Sequence, residues 1–339
     1  MFRIVARSLI IAFALAPAAV VAEPIKLKLA YFSSDRSTTY LGGIKPFVDA
    51  VNGDASNLVQ IEVAFSGTLG RDPAKQIDLV RDGTADIAFI IPGYTPALFP
   101  DEAVIELPGL FNGIREATAT YNVLMAGHAL RGYDDLFVIG AYATDPETIH
   151  TRPPVRSIAD LKGLRIRVNN PPQGRALSAL GIVPVQMPIN QAAMAIGSEK
   201  LDGSTAGPAP LVEFGIARVA SNHFLLKVSA VPLVLAMNRK RFDALPAPAQ
   251  AVIRRFSGDW AAERYVDVFL ARNSEAIESL RRDDKRTVVQ PSAADLQQAG
   301  LSFHAEMTNW AQSEPRHAEL LAKVQGALGQ LRKESVGQR

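Results

Sequence analysis

Apolar and charged residues alternate through IKLKLAY, from Ile25 to Tyr31, and this period of two marks a strand. Helical spacing follows from Thr38 to Val51, then a strand from Leu58 to Phe65, a helix from Pro73 to Arg81 and a strand from Ala85 to Ile91. Ile114 to Leu130 reads as another helix and Leu136 to Tyr142 as another strand. Such alternation predicts an α/β unit whose parallel or mixed sheet carries helices on both faces. Pro146, Pro153 and Pro154 interrupt it between Pro146 and Arg156, where the chain is expected to cross to a second unit. The alternation restarts at Ser157 and runs to about Val231, and the apolar stretch Val231 to Met237 reads as a strand returning to the first unit. From Ala247 to Arg281 apolar residues recur at helical period with no proline after Pro248. One helix of that length spans about 50 Å, whereas a break at Gly258 or Asn273 would give two. The chain from Ala293 onward is amphipathic and helical.

The first residues follow a different pattern. Met1 to Arg7 carries two arginines, Ser8 to Val21 is apolar apart from Ser8 and Pro17, and small residues precede Glu23. This is the three-part pattern of a secretory leader, with cleavage expected after Ala22, and the apolar run is shorter than the roughly 20 residues of a membrane span. Taking Arg3 and Arg7 from the 36 basic residues leaves 34, equal to the 34 acidic ones. A neutral chain without a basic run lacks the electrostatic footprint of a nucleic-acid binder. With no cysteine in the sequence, disulfides and a lipidated cysteine are both excluded. The expected units are 1–22 as leader, 23–145 with about 231–265 as the first domain, and 146–230 with about 266–339 as the second.

Among candidate chemical groups, Arg167 stands out because the strand that bears it, LRIRV, is otherwise largely apolar. An arginine keeps its charge, so an inward-facing side chain must meet an anion, either a ligand or an Asp or Glu of the protein. Arg165 lies on the same strand face at its wetter end and is expected to be solvated. The five histidines, His128, His150, His223, His304 and His317, have no metal-ligand spacing, and no nucleophile elbow, phosphate loop or dinucleotide fingerprint occurs. No catalysis, metal or cofactor is therefore expected.

Four blocks, in order, carry a family resemblance. FSGTLGRDPAKQIDLVRDGTADIAFI (Phe65 to Ile90), SIADLKGLRIRV (Ser157 to Val168) with GIVPVQMP (Gly181 to Pro188), KLDGSTAGP (Lys200 to Pro208) and VPLVLAMNRKRFDALP (Val231 to Pro246) resemble the solute receptors of tripartite ATP-independent periplasmic (TRAP) transporters, DctP type. The resemblance implies an α/β, two-domain, periplasmic-binding-protein-like fold with mixed sheets, and it favours a single long interdomain helix. It also implies a monomeric periplasmic protein that captures a small organic acid and delivers it to the membrane subunits of a TRAP permease. Receptors of another importer or of a sensor system share the fold, and a periplasmic hydrolase is the alternative from another class.

In the family, the arginine of the RV strand forms a two-point salt bridge with the ligand carboxylate, a role that falls here on Arg167. The chain then departs from the family pattern, because Asn169 and Asn170 follow where proline is usual, and their amides either add polar contacts beside Arg167 or only make a turn. Some members carry a second cleft arginine about twenty residues earlier; the count reaches Glu147 here, with Arg152 the nearest arginine. After Asp202 and Gly203, read as a turn, the small residues Thr205 and Ala206 leave room for a larger ligand or for Phe214. Strand ends of the first domain aim Tyr31, Phe32, Ser66 and Tyr94 at the expected cleft. His150 and Glu147 are expected to make satisfied polar contacts near the crossover.

Overall fold

The computed structural model describes residues 23–337 with residue 56 excepted, so the expected leader lies outside the described residues. Among the described residues the strands, in chain order, are β1 (Ile25–Ala30), β2 (Val59–Ala64), β3 (Ile87–Ile90), β4 (Leu136–Ala143), β5 (Thr148–Thr151), β6 (Arg165–Val168), β7 (Val183–Gln186), β8 (Gly203–Ala206), β9 (Asn222–Phe224), β10 (Pro232–Asn238) and β11 (Thr287–Val289). They form two sheets. One has the order β2-β1-β3-β10-β4 and the other β11-β9-β5-β8-β6-β7. Both are mixed: β10 is antiparallel to β3 and β4, and β5 is antiparallel to β8 and β9.

Alternate residues of the first sheet feed two cores, which is why β3, β4 and β10 at its centre and far edge are apolar on both sides. Leu27, Leu29, Phe89, Leu235 and Met237 pack with helices Lys45–Asp54 and Asp259–Arg282, whereas Ala30, Ala88, Ile90, Val234 and Ala236 face Tyr121, Leu124, Val324 and Leu328 on the other side. In the second sheet Ile166 and Val168 point into a core with Leu177 and Phe303. Arg167, between them, is thereby directed to the opposite face.

The chain links the sheets by two short antiparallel segments and a helix. Thr144 N–H donates to Val231 O at 3.1 Å, Glu147 N–H to Ser229 O at 2.9 Å, and Val228 N–H to Glu147 O at 2.8 Å, so the outward and returning segments are bonded side by side. Helix Asp259–Arg282, about 36 Å long at 1.5 Å per residue, packs against β4 of the first sheet and reaches β11 of the second. Asn273, buried within it, ties the crossing together. Its Oδ1 accepts from Ala209 N–H at 3.0 Å, capping a helix whose own N-cap is Gly207, and its Nδ2 donates to Asp145 Oδ2. Asp145 Oδ1 in turn accepts from Ile114 N–H at the start of helix Ile114–Ala126.

Two expectations are corrected. The helical stretch from Ala247 is not continuous, because Ala247–Arg255 and Asp259–Arg282 are separated at Gly258, whose φ of 64° and ψ of −129° suit only glycine. Gly258 N–H leaves the helical ladder and donates to Ile139 O of β4 at 2.8 Å. Asp202 and Gly203 are not both in a turn, since Gly203 opens β8. A Cβ there would stand 2.3 Å from the His150 carbonyl, so the close approach of β5 and β8 requires glycine.

Candidate functional site

Where the C-terminal strand ends of the two sheets meet, the region in which open α/β sheets bind ligands, the side chains of Tyr31, Phe32, Phe89, Tyr94, Phe214 and Phe269 enclose a small cavity. Its volume is about 60 Å³. A cavity of about 150 Å³ holds benzene, so even a one-ring ligand enters only with the cleft widened. The cleft is closed by contacts that cross it. Tyr94, from the first domain, accepts hydrogen bonds at its phenol oxygen from Arg167 Nη2 and from Ile189 N–H of the second, both at 3.0 Å. A second contact across it joins Glu213 Oε1, which accepts from Thr38 N–H at 2.7 Å and from the Thr38 hydroxyl.

Arg167 is 0 % exposed, and the protein itself meets each nitrogen of its guanidinium. Nε donates to Met187 O at 2.8 Å, Nη1 to Thr205 O at 3.2 Å, and Nη2 to Asn169 Oδ1 at 2.8 Å as well as to Tyr94. Its counter-charge is Glu147, whose Oε1 lies 3.7 Å from Nη1 with the carboxylate almost fully buried. Glu147 Oε2 is held at 2.9 Å by both Gln173 Nε2 and the Thr205 hydroxyl. Burying two charges is tolerable only with such satisfaction of the remaining polar atoms. Gln173 Oε1 then accepts from Asn169 N–H at 2.7 Å, which fixes the loop after β6.

Two donors therefore converge on one point. Ile189 is the first residue of helix Ile189–Gly197, whose N-terminal end adds positive potential beside the Arg167 guanidinium. Arginine and a helix N–H aimed at one oxygen form an oxyanion-binding geometry, filled in the closed cleft by the Tyr94 phenol. Burial pushes that phenol's pKa up, with Arg167 pulling the other way.

Of the residues singled out in the sequence, Tyr31, Phe32, Tyr94, Asn169 and Phe214 line the cavity. Arg167 lies directly behind Tyr94 and Asn169. Ser66 does not line it; it is an exposed turn residue with φ of 55° whose N–H donates to Ser33 O. Thr205 and Ala206 are fully buried in β8 behind the lining, the first bound to Glu147 and the second presenting its carbonyl to His150 Nε2 at 3.1 Å. His150 also meets His223, Nδ1 to Nδ1 at 3.0 Å, inside the second sheet and away from the cavity. Arg165 pairs with Asp202 at the exposed end of β6. Ile189, Phe269 and Glu213 were not singled out. Glu213 closes a short helix next to Phe214, and only its packed position gives it a role: burial pushes its carboxyl up, opposed by the Thr38 hydrogen bonds.

Residues 29–312 match the family model DctP, bacterial extracellular solute-binding protein, family 7. The chain belongs to that family. A solute-binding protein of Verminephrobacter eiseniae is 24% identical over 211 residues, a match spanning 61% of this chain and 63% of the relative. Among solved structures, a TRAP solute-binding protein from Rhodoferax ferrireducens in complex with copurified benzoate superimposes with a TM-score of 0.84 at 23% identity, covering 92% of this chain and 99% of that one. Another from Bordetella bronchiseptica, with bound (R)- and (S)-mandelate, gives 0.80 at 20% identity, covering 91% and 100%. These likenesses establish the architecture, a two-domain α/β solute-receptor fold with mixed sheets.

Proposed function

We propose that the protein captures a small aromatic monocarboxylate in the cleft and presents it to a TRAP-type permease outside the cytoplasm. The observation that carries this reading is the convergence of Arg167 Nη2 and Ile189 N–H on one oxygen at 3.0 Å, at the wall of a cavity lined by six aromatic rings. A carboxylate oxygen in place of the Tyr94 phenol turns neutral-acceptor hydrogen bonds into charge-assisted ones, which are roughly twice as strong. Flat aromatic walls suit a ring and offer little to a sugar's hydroxyls. The aromatic acids bound by the Rhodoferax and Bordetella proteins support the same class. Asn169, Tyr31, Phe32 and Phe214 serve as cavity walls in this reading, and Thr205 positions Glu147. Ligand binding is the task this reading assigns to the protein, as in the solute-binding family to which the chain belongs.

Calorimetry with purified mature protein tests the proposal, using benzoate against glucuronate and an uncharged sugar. Benzoate is expected to bind and to raise the melting temperature, because a ligand of the folded state adds RT ln(1 + [L]/Kd), about 2.7 kcal/mol at a hundredfold excess. Binding of the sugar acid with no response to benzoate would overturn the aromatic reading.

A further inference from the structure

The charges around the cavity are unbalanced. Glu147 and Glu213 both line it, whereas Arg167 stands behind the wall with its charge already matched by Glu147 at 3.7 Å. Glu147 is also anchored by the protein, with Gln173 and Thr205 on Oε2 and the Arg167 guanidinium 3.7 Å from Oε1. Glu213 is different. Its Oε1 takes both bonds from Thr38, and among the described residues no hydrogen bond reaches Oε2. The residue is exposed, and it lines the cavity together with Phe214 and Pro210. The cleft thus offers donors at Arg167 and Ile189 and an acceptor at Glu213, around a cavity lined with aromatic residues.

We infer that Glu213 is a specificity residue: the preferred ligand is an aromatic acid that carries, besides its carboxylate, a hydrogen-bond donor on the ring, a hydroxyl or an ammonium group. This rests on the aromatic-acid reading above and adds the second functional group. A carboxylate brought into a cleft already lined by Glu147 and Glu213 meets like charge, and a donor directed at Glu213 offsets part of that repulsion. A methyl ether in the same place cannot donate and leaves Oε2 facing an apolar group in the closed cleft.

Four probes of one shape class test this: benzoate, 3-hydroxybenzoate, 3-methoxybenzoate and 3-(aminomethyl)benzoate, titrated calorimetrically into wild type, Glu213→Leu and Thr38→Val. A hydrogen bond to a charged group predicts a roughly tenfold to hundredfold preference for hydroxyl over methoxy in the wild type. The ratio should fall to near one in Glu213→Leu. It should persist in Thr38→Val, which removes the hydroxyl bond of the closing contact but keeps the backbone N–H bond and the carboxylate, and this separates recognition by Glu213 from the part the Thr38 hydroxyl plays in closure. The hydroxyl and ammonium probes decide which donor is favoured. Equal wild-type affinities for hydroxy and methoxy probes, or an unchanged ratio in Glu213→Leu, would overturn the assignment of Glu213 while leaving benzoate binding in place. Failure of all four probes to bind would overturn the aromatic reading, and this inference with it.

Discussion

Replacing Arg167 by alanine has two separable effects. It removes the cation at the donor end of the cleft, and it leaves the buried Glu147 carboxylate without its counter-charge, along with four acceptors on Met187, Thr205, Asn169 and Tyr94. Breaking a buried pair from one side costs about 3 to 5 kcal/mol, most of it for the charge left behind. At about 2 to 4 °C per kcal/mol for domains of this size, Arg167→Ala should melt roughly 6 to 20 °C below wild type. Loss of ligand binding in that variant would then be confounded with instability. The double variant Arg167→Ala/Glu147→Gln removes the orphaned charge and keeps a carbonyl for Gln173 and Thr205, so it should regain at least about half of the lost melting temperature. It should still fail to bind benzoate, with affinity at least about a hundredfold below wild type. Thermal denaturation by circular dichroism and calorimetry on the three proteins check this. A single variant melting within about 2 °C of wild type, or a double variant no more stable than the single, would refute the account of Glu147 as the dependent partner.

The buried His150–His223 pair predicts a pH dependence. Burial holds the two imidazoles down to about 3 and about 4 in the folded protein, with His223 and Arg286 respectively adding repulsion. Below the unfolded value near 6.5 the unfolded chain binds more protons, so stability present above that pH is lost progressively as pH falls toward the folded values. Denaturation midpoints measured from about pH 7 to pH 4 should drop, and the slope should flatten in His150→Gln/His223→Gln; a slope equal to wild type would remove the pair as the cause. Gly258→Ala should destabilise by about 1 to 3 kcal/mol through backbone conformation alone, because no atom lies within 4 Å of a Cβ there. Chemical denaturation showing no loss would mean the break between the two helices shifts freely.

What the sequence disclosed and what it hid divide along the range of the interactions involved. Strand and helix periods are local, so the two mixed sheets and the long crossing helix were legible, and Gly258 was visible as one of two breaking points. Resemblance favoured continuity there, but the hydrogen bond from Gly258 to Ile139, 119 residues away in the chain, favours the break. Arg167 was legible because a permanent charge among apolar strand residues demands a partner. The partner was not, since Glu147 lies in the proline-rich crossover and Tyr94 in the other domain. Strand-end reasoning located Ser66, Thr205 and Ala206 near the cleft without their side-chain directions. β8 turns the Thr205 hydroxyl toward Glu147, and a left-handed turn leaves Ser66 outside. Glu213 gave no signal, because its role exists only once Thr38 is brought opposite it.

The closed cleft also bears on how a ligand drives closure. Tyr94 makes across the cleft the same two contacts that a carboxylate oxygen would make, so closure does not depend wholly on ligand. A ligand shifts the open–closed equilibrium only by its differential affinity for the two forms. On the proposed reading that differential is the gain of charge-assisted bonds at Arg167 and Ile189 over neutral ones to the phenol, together with ring burial, less the loss of the Tyr94 contacts. The bonded segments 144–147 and 228–231 and the Asn273 tie to Asp145 hold the crossing in register whichever oxygen fills the site. On that reading, selectivity resides in how far a ligand outperforms Tyr94. A neutral hydroxyl at the donor end offers only what the phenol already supplies, and a carboxylate offers more.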